Sequence, residues 1–231
     1  MKKIIVAVIA GMAFLTACNK DDEKIATCDA YIVSQISGQD TLFGLSLHAY
    51  AYSSFSSVTV VPENASEIAY HLQSSEGYDY NYYYDTPDED LSEEVPVSGN
   101  YHFSVVYGNK DTYETDDYVS GDILYPATIT QCAYDKSSSQ AVIEWNAVED
   151  ADKYVVKLYK GDNLVFLNSD EDETSSRKIE ISATDSGWDD YKPGSGDSFV
   201  VKIYAFMYEP NGDNNNIQAA SFAESSLSWG N

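Results

Sequence analysis

The side chains able to do acid–base or metal chemistry in this 231-residue chain are mostly carboxylates, with 38 Asp and Glu against 13 Lys and Arg and three His. Acidic clusters at 85–94, 111–122 and 170–173 could supply oxygen ligands to calcium, which needs about six to eight of them converging on one point. No cluster matches a known calcium loop, and residues 211–216 are typical of a polar hairpin tip. We therefore expect solvated acidic loops without a metal or other cofactor, with structural calcium as the alternative.

The sequence shows no arrangement typical of catalysis. Its three histidines, His48, His71 and His102, fall on separate predicted strands without the HxH or HExxH spacing of metal sites. It also lacks a GxSxG motif, a cysteine–histidine signature and a phosphate-binding loop. The two carboxylates of a glycoside hydrolase need only meet in space, so a small hydrolase stays open as an alternative. We expect a protein that is not an enzyme.

Tyrosine is the other residue type with a chemical use, since its ring can stack on a sugar. The chain has 20 tyrosines, five of them in the nine residues GYDYNYYYD from 77 to 85. In a strand, alternation puts the even-numbered tyrosines from Tyr78 to Tyr84 on one face and a mostly polar set on the other. The polar face favours water, so we expect the tyrosine face to line the core. The alternatives are an exposed platform for sugar rings that includes Tyr80 and Tyr82, and a strand that is mixed in exposure or covered by a partner.

Short β-strands would position these side chains. Residues 141–160, AVIEWNAVEDADKYVVKLYK, alternate apolar and polar residues on both sides of a polar turn. This segment resembles strands B and C of a fibronectin type III domain, with Trp145 as the core tryptophan and Tyr154 opening the next strand. KPGSGDSFVVKIYAF, from Lys192, resembles that family's turn into strand F, with Phe199 in place of the usual corner tyrosine. The resemblance covers residues 126–231 and implies a β-sandwich without implying a function.

The first half also predicts short strands and a second sandwich. GNYHFSVVYG, residues 99–108, resembles the penultimate strand of immunoglobulin-like modules. A capping-box pattern from Thr86 to Glu89 predicts one helical turn. We therefore expect an all-β chain with two immunoglobulin-like β-sandwich domains in tandem, at 28–125 and 126–231, the second of them fibronectin type III-like. The predicted strands of the first are Tyr31 to Ser37, Leu42 to Ser53, Val58 to Val61, Glu67 to Gln73, Tyr78 to Tyr84, Tyr101 to Tyr107 and Tyr118 to Tyr125.

Alternation also predicts which aromatic side chains face outward. In the strand that begins at Phe43, Ser46, His48, Tyr50 and Tyr52 face out when Phe43, Leu45, Leu47, Ala49 and Ala51 face in. In the second sandwich, strands C and F are neighbours, so Lys157 and Tyr159 should share an outer face with Lys202, Tyr204 and Phe206. The candidate ligand or partner contacts are therefore Tyr50, Tyr52, Tyr159, Tyr204, Phe206, Tyr80 and Tyr82.

The N-terminus has the composition of a secretion signal. Lys2 and Lys3 precede the 12-residue apolar run from Ile4 to Leu15, which is shorter than the about 20 residues of a membrane-spanning helix. Leu15-Thr16-Ala17-Cys18 resembles the lipobox of bacterial lipoproteins. That resemblance implies removal of residues 1–17 and a diacylglycerol on Cys18; a signal peptide with a chance cysteine is the alternative.

The segment that follows, residues 18–27, has the composition of a charged tether. Its acidic run resembles the surface-export signal of Bacteroidota outer-membrane lipoproteins, which implies a chain displayed on the cell exterior; an anchor facing the periplasm is the alternative. Two cysteines then remain, Cys28 and Cys132. An exported chain can form a disulfide between them, although two buried free thiols are the favoured interpretation.

The net charge of −25 excludes two classes of partner, because nucleic acid and anionic lipid both repel a carboxylate-rich surface. Membrane attachment would therefore depend on the acyl chains of Cys18. The leading hypothesis is a non-catalytic outer-membrane lipoprotein that binds glycan or assists a polysaccharide-uptake system. The alternatives are a structural or adhesive module that binds an outer-membrane protein, and the small hydrolase.

Overall fold

The computed structural model describes residues 25–75, 77–168, 177–210 and 216–230. The proposed signal peptide, Cys18, most of the tether, the acidic cluster at 170–173 and nearly all of the predicted hairpin tip at 211–216 lie outside these residues. In the part of the chain that is described, no helix is long and apolar enough to cross a membrane.

Within the described residues, 15 β-strands and two short 3₁₀ turns, Glu63–Ala65 and Asp88–Asp90, form the fold. The strands are β1 (Thr27–Ser37), β2 (Asp40–Tyr50), β3 (Phe55–Pro62), β4 (Tyr70–His71), β5 (Gln73–Ser75), β6 (Tyr78–Asp85), β7 (Gly99–Tyr107), β8 (Thr112–Val119), β9 (Ile129–Asp135), β10 (Gln140–Trp145), β11 (Lys153–Lys160), β12 (Asn163–Leu167), β13 (Lys178–Ser182), β14 (Ser198–Tyr208) and β15 (Ile217–Ser228). The all-β prediction is confirmed.

The first sandwich has the strand order of an immunoglobulin-like domain. Strands β5-β6-β2-β1 hydrogen-bond in that order and pack against the sheet β4-β3-β7-β8. In immunoglobulin nomenclature these are strands D-E-B-A and C′-C-F-G. Alternate residues of both sheets, such as Leu47, Val60 and Phe103, are fully buried between them, because the period of two puts every second side chain on the inner face.

The second sandwich has the strand order of a fibronectin type III domain. Strands β12-β11-β14-β15 correspond to C′-C-F-G and pack against β13-β10-β9, which correspond to E-B-A. The predicted core tryptophan, Trp145, is buried, and its ring packs against that of Tyr154 at 5.6 Å between centroids. Phe199, at the corner position, is buried between Trp188 and Trp229, so packing of the ring takes the place of a corner hydroxyl. The prediction of two sandwiches is confirmed.

The two sandwiches share one sheet, which the tandem arrangement alone does not predict. β1 pairs in parallel with β15, from Ile32 opposite Ala219 to Gln35 opposite Phe222, and this pairing makes a continuous sheet of eight strands. Residues 120–128 connect the sandwiches and pack beneath this seam. The hydroxyl of Ser34 donates a hydrogen bond to the carbonyl of Leu124, and that of Ser221 donates one to the carbonyl of Tyr125 at 3.2 Å.

Some local predictions are wrong. The predicted strand from Tyr118 to Tyr125 is instead β8, which ends at Val119, because the chain then leaves the sheet to pass under the seam. Of the strand predicted from Glu67 to Gln73, only Tyr70 and His71 pair with β3, and the last residue begins β5. The helical turn is a 3₁₀ turn over Asp88–Asp90 without a side-chain cap. The hydroxyl of Thr86 instead binds the backbone of Leu45. By contrast, the favoured interpretation of Cys28 and Cys132 agrees with the structure, in which both are free thiols and half-buried.

Candidate functional site

The outer face of the eight-stranded sheet carries the side chains that alternate with core residues. Near the seam, strands of both sandwiches contribute aromatic and charged groups to this face. They are Tyr31 from β1, Ser46 and His48 from β2, Asp85 from β6, Lys157 from β11, Lys202, Tyr204 and Phe206 from β14, and Phe222 from β15. We call this set the seam cluster.

A row of stacked rings crosses the first sandwich. The rings of Tyr31 and His48 lie 5.8 Å apart between centroids at an interplanar angle of 3°, and His48 and Tyr83 lie 6.4 Å apart at 22°. Strand register brings them together, since Tyr31 lies opposite Ser46 and His48 lies opposite Tyr83. Three neighbouring strands thus form one aromatic wall.

Hydrogen bonds fix the polar side of this wall. Ser46 is 1% exposed, and its hydroxyl donates to Asp85 Oδ1 at 2.5 Å. His48 Nε2 lies 2.9 Å from the same hydroxyl oxygen and 3.2 Å from the hydroxyl of Tyr31. Because the single hydroxyl hydrogen of Ser46 goes to Asp85, His48 Nε2 must carry a hydrogen and donate it.

That order of contacts differs from a Ser-His-Asp triad. In a triad the serine donates to an imidazole nitrogen, which takes its proton; here Ser46 donates to the carboxylate of Asp85 and not to His48. Burial lowers the pKa of His48, against a smaller opposing effect of Asp85. It also raises the pKa of Tyr31 well above its usual range. Both rings are therefore neutral groups that can exchange hydrogen bonds with a ligand.

The second wall comes from the second sandwich. The rings of Tyr204 and Phe206 are nearly parallel, at 6.1 Å and 8°, and Phe222 lies 5.6 Å from Tyr204. The ammonium of Lys157 lies 4.6 Å above the Tyr204 ring, and that of Lys202 lies 5.0 Å above Phe222. Both contacts are within the cation–π range of about 6 Å, so the two lysines are held over the aromatic surface.

A groove of about 370 Å³ lies between these walls. This volume falls within the range of small-molecule sites, about 300–1,000 Å³. Residues 86–91 form its rim, and they approach β2 closely because Gly44 has no side chain. A Cβ at Gly44 would lie 2.5 Å from Leu91 Cδ2 and 2.8 Å from Thr86 Cβ. The groove therefore depends on both sandwiches and on this crossing segment.

Charge is divided across the groove. Lys157 and Lys202 lie on the side of the second sandwich, and Asp85 and Asp88 lie on the side of the first. Burial, followed by the nearby Lys202, lowers the pKa of Lys157. Among the described residues Lys157 has no carboxylate within 4.0 Å, whereas Lys202 reaches Glu224 at 3.7 Å.

The tyrosine-rich segment from 77 to 85 divides between two environments. Tyr82 and Tyr84 pack on the core of the first sandwich, with Tyr82 edge-on to Phe55 at 5.6 Å. Tyr78 and Tyr80 continue past the core and join Tyr50 and Tyr52. The prediction of a core wall is therefore confirmed only for the second half of the segment.

These four tyrosines form an exposed chain of edge-to-face rings that we call the tyrosine ladder. Its order is Tyr52, Tyr50, Tyr80, Tyr78, with centroid spacings of 5.6, 5.9 and 5.6 Å. Tyr52 is 97% exposed and Tyr78 is 54% exposed. Of the candidate contacts, the structure places Tyr50, Tyr52 and Tyr80 in this ladder and Tyr204 and Phe206 in the groove. Tyr82 faces the core, and Tyr159 lies beside Lys202 outside the groove.

The remaining chemical candidates do not converge. His71 lies beside Thr59, and His102 lies between Glu114 and Asp116 on the exposed face of β7 and β8. Within the described ranges no group of three or more His, Cys, Asp or Glu side chains could hold a metal ion. Ser46, expected to face solvent, points to the outer face but is buried, because it hydrogen-bonds to Asp85 under the groove.

Sequence reasoning missed Tyr31, Asp85 and Phe222 as members of the site. Alternation along β1 and β15 would place Tyr31 and Phe222 on outer faces. Alternation does not indicate that the outer faces of β1 and β15 form one surface. That surface depends on the parallel pairing of the two strands, which is set by contacts distant in sequence. Asp85 is predicted as part of an acidic run and of the polar face of its strand, but not as a member of the site.

Comparisons with known proteins add little to this geometry. No protein-family model matches the chain, and no curated protein matches its sequence. Among solved structures, it is similar to Tp47, the 47-kilodalton lipoprotein of Treponema pallidum, with a TM-score of 0.41 and 9% identity over 85% of this chain. This chain spans 50% of the length of that structure.

Two further structures are similar at a lower level. The fibronectin(III)-like modules of Clostridium thermocellum CbhA give a TM-score of 0.29 and 11% identity, over 89% of this chain and 94% of theirs. A 1.5-MDa bacterial ice-binding adhesin gives 0.27 and 14%, over 89% of this chain and 65% of its own. Similarity this low carries no argument about function, and the fold assignment depends on the strand order described above.

Proposed function

We propose that this chain is a non-catalytic binding protein that holds a glycan in the groove between its two sandwiches. The observation that carries this proposal is the groove itself, in which Tyr204 and Phe206 present parallel rings beside the polar groups of His48 and Asp85. Sugars offer apolar ring faces and hydroxyl groups, and small-molecule sites match such ligands with an apolar lining and a few placed polar groups.

The cellular setting is part of the same proposal. The lipobox-like Leu15 to Cys18 and the acidic run after it support a surface lipoprotein of the Bacteroidota type, acylated on Cys18 and facing the cell exterior. A glycan-binding module in that position would deliver saccharide to an uptake system in the outer membrane. The serine–carboxylate contact in the groove supports binding over hydrolysis, since Ser46 is not arranged as a nucleophile.

A glycan-panel binding assay tests the proposal. The chain from Lys24 to Asn231 contains every described residue and would be compared with Tyr204→Ala/Phe206→Ala, which removes two of the three rings of the second wall. The matched control is Tyr50→Ala/Tyr52→Ala, which removes two aromatic rings from the tyrosine ladder. A thermal melt would check that each variant is folded.

We expect saturable binding of at least one glycan that is lost in the groove variant and kept in the ladder variant. The reverse pattern would move the site to the tyrosine ladder and refute the groove as the binding site. Binding of no glycan by the unaltered chain would refute glycan recognition and favour a protein partner.

A further inference from the structure

We infer that the groove selects acidic saccharides, in which a sugar ring carries one carboxylate or sulfate group. This inference rests on the proposed function, because it specifies which glycan the same groove would bind. It comes from the uneven distribution of charge around the groove and from the position of Lys157.

Acidic residues far outnumber basic ones in this chain, which carries 13 Lys and Arg residues against 38 Asp and Glu. Two of these basic residues, Lys157 and Lys202, nevertheless line one side of the groove. Lys157 is half-buried, and among the described residues its ammonium meets the face of Tyr204 and no carboxylate. A partly desolvated ammonium without an ion-pair partner is costly, and an anionic ligand would repay that cost.

The opposite side of the groove suits hydroxyl groups. Asp85 uses Oδ1 for Ser46, and Oδ2 has no hydrogen-bond partner in the part of the chain that the structure describes. That oxygen can accept a sugar hydroxyl, and the hydroxyl of Tyr31 lies on the same wall. Asp85 and Asp88 also repel dense negative charge, which favours a ligand with one anionic group per ring over a polyphosphate.

The rings complete the match. Tyr204 and Phe206 lie beside the lysines, so one sugar ring can stack on an aromatic face while its anionic group reaches an ammonium. A neutral sugar would leave Lys157 partly desolvated and without a carboxylate partner among the described residues. A ligand with denser negative charge, such as a polyphosphate, would be repelled by Asp85 and Asp88. The geometry therefore fits a saccharide with one acidic group on the ring that the groove holds.

The test compares three probes of equal length by titration calorimetry. They are tetragalacturonate, its fully methyl-esterified form, and a sulfated galactan tetrasaccharide with one sulfate per disaccharide. The ester keeps the sugar ring and removes the charge. We expect it to bind at least about 10-fold more weakly than the acid, because a hydrogen bond to a charged group is lost. If tetragalacturonate binds more tightly than the sulfated probe, the preferred acidic group is a carboxylate. If the sulfated probe binds more tightly, the preferred group is a sulfate.

Substitutions assign the effect to the lysine. Lys157→Met keeps a long apolar side chain beside Tyr204 and removes the charge, so it should abolish the preference for the acidic probe. Lys157→Arg should retain the preference for the acidic probe. The control is Lys136→Met, which replaces an exposed lysine in the β9–β10 turn.

Two outcomes would overturn the inference in different ways. Equal binding of the acid and the ester, unchanged by Lys157→Met, would refute acidic selectivity and leave the proposed function intact. If no acidic or neutral probe binds and the glycan panel is also negative, the proposed function fails together with it.

Discussion

The carboxyl group of Asp29 should make the stability of this protein fall as the pH rises. Asp29 is buried where β1 meets β15, and its Oδ2 accepts a hydrogen bond from the Ile217 N–H at 3.1 Å. Its Oδ1 has no hydrogen-bond partner in the described part of the chain. Burial, with the added charges of Asp117 and Glu209, raises the pKa of Asp29 to about 7 from its ordinary value of 3.8.

The size of the effect follows from that pKa. In the folded chain Asp29 keeps its proton up to about pH 7, whereas in the unfolded chain it loses the proton near pH 3.8. Between these pH values the ionised carboxylate of the unfolded chain is favoured, so the free energy of unfolding falls by about 1.4 kcal/mol per pH unit. The stabilisation is therefore complete below about pH 4 and is lost as the pH rises through about 7. The total is about 4 kcal/mol, of which about 2.5 kcal/mol falls between pH 5 and pH 8.

The perturbation is Asp29→Asn, which keeps an acceptor for the Ile217 N–H and cannot ionise. Urea unfolding at pH 5, 6, 7 and 8 would give the free energy of unfolding of both chains. Asp162→Asn, in the exposed β11–β12 turn, is the control for a lost surface charge. The stability of the variant relative to the unaltered chain should increase by about 2 to 3 kcal/mol from pH 5 to pH 8. If the difference in the free energy of unfolding between the Asp29→Asn variant and the unaltered chain does not change with pH, the reasoning is refuted.

Two further predictions concern packing. Gly44→Ala should lower the free energy of unfolding by about 1–3 kcal/mol and weaken groove binding, because the new Cβ overlaps Leu91 and Thr86; full stability in urea unfolding would contradict it. Tyr82→Ala should cost about 2–4 kcal/mol since its ring packs on the core, whereas Tyr52→Ala should stay within about 0.5 kcal/mol because that ring is 97% exposed. Equal thermal melts for these last two variants would contradict the division of the tyrosine segment.

Much of the fold can be predicted from local sequence. Strands with one buried face have a strong period of two, so the inward residues of β2, β11 and β14 are correctly predicted. The same alternation, with the resemblance to a fibronectin type III domain, correctly predicts Trp145 as a core residue. Predictions were weaker where pairing depends on distant contacts. The segment after Val119 has strand-like composition, yet it leaves the sheet because Leu124 is buried beneath the seam.

The candidate site was predictable only in part, for the same physical reason. Outward-facing Tyr204 and Phe206 follow from alternation along one strand. The groove also needs β1 to pair with β15, and strands so far apart in sequence leave no local pattern that specifies their register. Tyr80 was equally ambiguous, since alternation gives the face of a side chain and not whether the core extends beneath it.

The most direct test of the central claim, a saccharide held between the two sandwiches, is backbone hydrogen exchange with and without a saturating panel glycan. We predict slower exchange in β1, β2, β14 and β15 and in residues 86–91, with no change around Tyr52 and Tyr78. Protection confined to the tyrosine ladder, or to one sandwich alone, would contradict the claim that both sandwiches form the site.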